Sequence, residues 1–137
     1  KYALNKKFLK KKNIKLIINC TKTIDFIDLK NISKVRVNIN DSLKDEDIDK
    51  LTDLLPKIIE IMEKFYLNLN PILVHCYAGK QRSATIIAGF IMKTTSLSIK
   101  QCIAFIQSKK KNAFRPGINF LKSLETLNYN LSQNKIT

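Results

Sequence analysis

The stretch Pro71-Ile72-Leu73-Val74-His75-Cys76-Tyr77-Ala78-Gly79-Lys80-Gln81-Arg82-Ser83-Ala84-Thr85 decides how this chain is read. Ile72-Leu73-Val74 is a short apolar run opened by a proline, and it predicts a fully buried strand. From Ser83 to Lys93 the sequence is apolar nearly all round, which predicts a buried helix beginning at about Ser83. A strand that passes through a loop into a helix is suited to cradling an anion. Backbone N–H groups of the loop and of the helix N-terminus point at the anion, and the helix dipole adds positive potential. Cys76 stands at the start of that loop as the candidate nucleophile. Arg82, at the loop end, offers a planar fork to two phosphate oxygens. Gly79 lets the backbone turn inward with φ > 0. His75 orients the loop without acting as a base, and Tyr77, Ala78, Lys80 and Gln81 complete the candidate binding set. The chain holds one His and three each of Cys, Gly and Arg. At those frequencies His-Cys-x-x-Gly-x-x-Arg arises by chance on the order of once in 100,000 such chains. A buried core cysteine would explain Cys76 alone, but not its three companions at their spacings.

Working outward, Ile14 to Cys20 reads as an apolar strand after a short helix marked by Leu4 and Phe8. Val35, Val37 and Ile39 alternate with Arg36 and Asn38, the period of a second strand. Ile48, Leu51, Leu55, Ile58, Met62 and Phe65 recur at helical spacing, with Pro56 expected to kink that helix. Ser98 and Gln101 form a capping box for a helix carrying Ile99, Cys102, Ile103 and Ile106. Phe120, Leu124, Leu127 and Leu131 mark a last helix. Strands alternate with helices early and helices dominate late, so the expected fold class is α/β, a small central sheet flanked by helices in three layers. No repeat or linker divides residues 1–137, which read as a single domain.

The candidate proton source lies in Asp41-Ser42-Leu43-Lys44-Asp45-Glu46-Asp47. The Val35–Ile39 strand ends just before Asp41, as Ile72-Leu73-Val74 ends just before Cys76. Ligands of α/β sheets gather at the carboxyl ends of strands, so Asp41 and Cys76 are expected to face one crevice. A solvated loop aspartate is the plain alternative. Asp45, Glu46 and Asp47 read as first-turn acids of the long helix, favourable against its dipole.

Composition narrows the classes. The net charge is +14, but Lys, Asn and Ile together dominate the chain while Arg is scarce, a bias that follows from AT-rich coding. Selection for a polyanion partner recruits Arg for its bidentate grip, so no stable nucleic acid complex is expected. The runs Lys10-Lys11-Lys12 and Lys109-Lys110-Lys111 read as solvated helix ends. The charge still draws anionic substrates over distance. Three unpaired cysteines at 20, 76 and 102 argue against a disulfide framework, and one His leaves no ordinary zinc spacing, so neither metal nor cofactor is expected. No run is long enough to span a membrane and no apolar leader opens the chain, so a soluble cytoplasmic or nuclear protein is the expectation.

The stretch Val74-His75-Cys76-Tyr77-Ala78-Gly79-Lys80-Gln81-Arg82-Ser83-Ala84-Thr85 resembles the dual-specificity members of the protein tyrosine phosphatase superfamily. The resemblance extends to Ala3-Leu4-Asn5, Phe8-Leu9, Ile17-Ile18-Asn19, Phe114-Arg115-Pro116 and Asn119-Phe120-Leu121. It implies a three-layer phosphatase fold and hydrolysis of phosphotyrosine and phosphoserine/threonine in protein substrates through a cysteinyl-phosphate. Asn40-Asp41 matches the family's acid position. The resemblance gives Ser83 the task of offering its hydroxyl to the departing thiolate, with a plain helix N-cap as its alternative. Gln81 departs from the family's common serine. A further strand usually precedes the position of Lys1, which implies a start cropped relative to the family. A cysteine placed like Cys20 pairs with the nucleophile in some phosphoinositide phosphatases, although a small buried residue explains Cys20 equally. The alternatives are a phosphoinositide or RNA 5′-phosphatase of the same superfamily, or a pseudophosphatase that only binds phosphorylated partners. Lys80 matches one of two lysines of phosphoinositide enzymes, but Tyr77 stands at the other, and Ala78 replaces the histidine of RNA triphosphatases.

Overall fold

The computed structural model describes residues 5–136, so the expectation at Leu4 lies outside the described residues. The described chain forms helix α1 (Lys6–Lys11), strand β1 (Leu16–Asn19), strand β2 (Ser33–Arg36) and the long helix α2 (Asp45–Leu67). Strand β3 (Ile72–His75) and helices α3 (Arg82–Thr94), α4 (Ile99–Lys109) and α5 (Leu121–Ile136) follow. The strands lie in the order β2-β1-β3 and all run parallel. Ile17 faces one side of the sheet, where Leu9 of α1 and the partly buried Phe26, Ile27 and Ile32 cover it. Leu16 and Ile18 face the other side, in the large cluster with Leu51, Leu55, Ile86 and Leu124. Period-2 alternation thus sets two apolar faces, and helices cover both: a three-layer α/β fold.

Two strand expectations are corrected. β2 stops at Arg36, not Ile39, because its partner β1 ends at Asn19, opposite Arg36. Val37 N–H still donates to Asn19 O at 2.8 Å, after which Ile39 N–H folds back onto Val37 O at 3.0 Å. The alternating burial survives without a ladder, since Val37 and Ile39 are both buried. β3 is half-buried along its length rather than fully buried, because it is one of the two outer strands among those described.

Helix α2 runs unbroken through Pro56 and carries Asp45, Glu46 and Asp47 in its first turn. The capping box of α4 forms as expected, Ser98 Oγ accepting from Gln101 N while Gln101 Oε1 accepts from Ser98 N. Gly89 of α3 faces both α2 and α5. A Cβ there would stand 3.0 Å from Ile59 Cδ1 and 3.2 Å from Leu127 Cδ2, so the missing side chain sets how closely three helices approach. That packing holds α3, and the loop before it, against the carboxyl end of the sheet.

Candidate active site

β3 delivers Cys76 to the end of the sheet, and the chain then loops inward. Gly79 takes φ of 70°, the left-handed region that glycine adopts without penalty. Its N–H donates to Cys76 Sγ at 3.2 Å. The Ser83 hydroxyl lies at the same distance, 3.2 Å, from Cys76 Sγ. Helix α3 begins at Arg82, one residue earlier than expected, with Gln81 as its cap. Ser83 is therefore inside the first turn rather than an N-cap, and its hydroxyl is directed at sulfur. Cys76 is buried while Tyr77 is 78% exposed, so the loop presents an aromatic edge to solvent beside a recessed thiol.

Arg82 joins the three strand ends. Its Nη1 donates to Cys20 O at 2.9 Å and to Ile39 O at 3.1 Å, the first just after β1 and the second after β2. Its Nε is buried with no acceptor among the described residues. Burial holds the His75 imidazole below its ordinary range, with Arg36 adding to the fall, so His75 is neutral at physiological pH. Cys20 N–H donates to His75 O at 2.8 Å, carrying the β1–β3 ladder one residue past the strands. Cys20 and Cys76 consequently sit side by side, both as free thiols. Burial pushes the Cys20 thiol far up, Cys76 adding to the rise and Arg82 opposing it.

Asp41 is exposed, and Asn119 Nδ2 donates to its Oδ1 at 2.8 Å. Asp47 is more than a first-turn acid. It is buried, and its two carboxylate oxygens accept from Asn40 N at 3.1 Å and Ser42 Oγ at 2.7 Å, on either side of Asp41. Those bonds hold its carboxyl below the usual range, Ser42 contributing most. Lys80 O accepts from Phe114 N at 2.8 Å, and Lys110 Nζ reaches Ala78 O at 3.3 Å. Lys110 is thus drawn over the loop rather than left as a solvated helix end. Lys80, Lys111 and Arg115 line a hollow of about 560 Å³ beside the loop. Neither the bonds by which Asp47 anchors the Asp41 loop nor the contact of Asn119 with Asp41 was read from the sequence. Asn119 lies 78 residues from Asp41, and no local pattern announces such a pairing.

A parallel sheet that feeds a cysteine into a loop closed by an arginine at the first position of a helix defines a protein tyrosine phosphatase-like α/β fold. The crystal structure of human DUSP28 superposes with a TM-score of 0.86 at 20% identity, over 96% of this chain and 89% of that one. That of PTPMT1 in complex with PI(5)P superposes with a TM-score of 0.78 at 17% identity, over 94% and 85%. Residues 1–130 match the family model described as "Dual specificity phosphatase, catalytic domain", and the chain belongs to that family. It is 33% identical over 125 residues to human dual specificity protein phosphatase 16, covering 89% of this chain and 18% of that protein. It is 34% identical over 125 residues to human dual specificity protein phosphatase 8, covering 90% and 19%. The chain spans about a fifth of the length of these curated relatives. Among the described residues, no helix is long and apolar enough to cross a membrane.

Proposed function

We propose that the chain is a cysteine-dependent phosphatase that hydrolyses phosphotyrosine and phosphoserine/threonine esters of proteins. The observation that carries this reading is the convergence of Gly79 N–H and the Ser83 hydroxyl on Cys76 Sγ, at 3.2 Å each, in a loop closed by Arg82. The unpartnered Arg82 Nε is a donor suited to a phosphoryl oxygen, and the loop amides are others.

Hydrolysis proceeds in two displacements. The Cys76 thiolate attacks phosphorus, the S–P bond forms, and the P–O ester bond breaks with its electron pair passing to the leaving oxygen. The Asp41 carboxyl donates the proton that the oxygen takes up, since an alkoxide or phenoxide leaves poorly. The Asp41 carboxylate then removes a proton from water, whose oxygen bonds to phosphorus as the S–P bond breaks. Inorganic phosphate departs and the thiolate is restored, with the Ser83 hydroxyl donating to sulfur as it leaves.

Cys20 extends the reading to redox control. Strand neighbours lie about 4.8 Å apart, inside the Cα range that a disulfide tolerates. If peroxide oxidises Cys76 to a sulfenic acid, the Cys20 thiol attacks that sulfur, forming the S–S bond and releasing water. Mild peroxide followed by non-reducing peptide mapping should recover Cys20 joined to Cys76. Recovery of sulfinic acid without that bridge would refute it.

Tyr77 offers an aromatic wall to a phosphorylated side chain in a shallow cleft. The basic hollow of Lys80, Lys111 and Arg115 favours a second reading, a phosphoinositide headgroup with several phosphates. Catalytic efficiencies on phosphopeptides, soluble phosphoinositides and 5′-triphosphate RNA at fixed salt decide between them. Phosphopeptides are expected to lead, and a lipid or RNA efficiency about tenfold higher, beyond what rim charge alone supplies, would overturn the ranking. Cys76→Ser should abolish turnover of every substrate while preserving vanadate binding. Normal turnover by that variant would end the reading.

A further inference from the structure

Gln81 is buried, 3% exposed, and its side-chain amide is fully engaged with the connection between α4 and α5. Nε2 donates to Gly117 O at 2.7 Å and, more weakly, to Arg115 O at 3.4 Å. Oε1 accepts from Asn119 N at 3.0 Å. Two carbonyls require a donor and one N–H requires an acceptor, so the network itself fixes which end of the amide is which. Asn119 then turns its side chain the other way and donates from Nδ2 to Asp41 Oδ1 at 2.8 Å. An unbroken path therefore runs from the loop that carries Cys76, through Gln81 and Asn119, to the carboxyl of Asp41.

The far side of that carboxyl is held as well. Asp47 grips Asn40 N and Ser42 Oγ on either side of Asp41, and Arg82 grips Ile39 O. These bonds fix where the backbone of residues 39–42 lies but leave the Asp41 side chain free to turn on an exposed loop. Only the Asn119 amide, among the described residues, reaches the carboxyl itself. It takes Oδ1 and leaves Oδ2 without a protein partner among the described residues. A serine at position 81 presents a single hydroxyl on a side chain two bonds shorter. It would not reach three groups spread over residues 115–119.

We propose that Gln81 is a positioning residue for the proton donor. Acting through Asn119, it holds Asp41 by Oδ1 and keeps Oδ2 to carry the proton to the leaving oxygen, so that the nucleophile loop and the acid are set by one network. This rests on the phosphatase reading. Its logic is geometric, since a reacting group displaced by about 1 Å costs on the order of 10²-fold in rate.

The test uses two substrates that differ in their need for a proton. Phenyl phosphate expels a poor leaving group, whereas dinitrophenyl phosphate expels a phenolate that departs unaided. Gln81→Ala and Asn119→Ala should each lower kcat on phenyl phosphate about tenfold, a fraction of a full general-acid contribution. On dinitrophenyl phosphate kcat/KM, which ends with expulsion of the phenolate and so excludes the later hydrolysis in which Asp41 is the base, should change less than about twofold. KM should hold for phenyl phosphate, because in the first displacement the acid assists only the bond that needs a proton. Gln81→Glu, which sets a carboxylate oxygen against Gly117 O, should follow the same pattern. In an Asp41→Asn background, neither alanine change should cause a further loss on phenyl phosphate. Equal losses on both substrates, or additive losses in the Asp41→Asn background, would overturn the proposal and leave Gln81 as a support for the loop. Should Gln81→Ala not fold, the half-buried Asn119→Ala carries the same comparison. Cys76→Ser on dinitrophenyl phosphate reports on the nucleophile alone, so failure of the positioning role and failure of the phosphatase reading give different results.

Discussion

Asp41 and Asp47 lie within one turn-and-helix start, and their surroundings give the two carboxylates different duties. Asp41 is exposed and held by one oxygen, so removing its carboxyl should spare the fold and harm the chemistry. Asp41→Ala is expected to lower kcat on phenyl phosphate by roughly 10²-fold or more with an unchanged melting temperature. Asp47 is buried and satisfies two neighbours, so Asp47→Ala should destabilise the chain at neutral pH. Its carboxyl is held below the usual range, Ser42 leading and Asn40 next. The folded state therefore binds this proton less readily than the unfolded chain. The stability Asp47 contributes is complete above the unfolded carboxylate pKa, about 3.9. It is lost as pH falls through the lower folded value. Denaturant titrations of wild type and Asp47→Ala should differ at pH 7 and converge toward about pH 3, and a constant difference would refute the linkage. Ser83→Ala should leave formation of the cysteinyl-phosphate fast and slow its hydrolysis, so that rapid-quench measurements show a burst absent from wild type. At this scale the sequence announced Cys76, Gly79 and Arg82, because loop chemistry dictates residue type at fixed spacing. It did not announce Asn119 or the anchoring role of Asp47, whose partners are set by how distant segments pack.

Helices were easier to read than strands. Each of the amphipathic patterns at Ile48–Phe65 and Ile99–Ile106 found its helix, because a 3.6-residue period summed over several turns is a strong signal. The strands are four residues each, and their limits depend on where a neighbour stops. Val37 and Ile39 kept their inward alternation after losing the ladder, so pattern predicted burial correctly and hydrogen bonding incorrectly. The burial of β3 was overestimated for a related reason: an apolar run does not reveal which strand lies outermost. A close constraint between helices is Gly89, where α3 meets side chains of α2 and α5 within 3.3 Å of a would-be Cβ. Gly89→Val adds branched bulk where no room exists and should destabilise the chain by about 1–3 kcal/mol. Thermal unfolding measures this, and an unchanged midpoint would mean that the helices shift apart freely.

The molecule carries a net charge of +14, and the basic hollow beside the loop concentrates part of it. Such a field raises the encounter rate with anions and weakens as salt screens it. The kcat/KM for a multiply phosphorylated peptide should fall several-fold between about 50 and 200 mM salt, more steeply than for phenyl phosphate. Equal slopes would show that the surface charge is a by-product of composition alone. Fold class and three-layer order were legible at this scale because alternating strand and helix patterns admit few arrangements. The wiring between nucleophile loop and acid loop was not, since it is made by residues 81, 119 and 41 meeting in space.

Arg82, the substrate's receptor in the proposed reading, is also a strut, for it ties Cys20 O and Ile39 O together while closing the loop. Changing it therefore loosens the mouth of the sheet as well as ending catalysis, whereas Cys76→Ser ends catalysis and leaves the strut in place. The two routes to an inactive chain are unequal in what they leave standing. Arg82→Ala should melt earlier than Cys76→Ser, and copies of this fold retired from catalysis but retained as phosphate binders should discard the cysteine and keep the arginine.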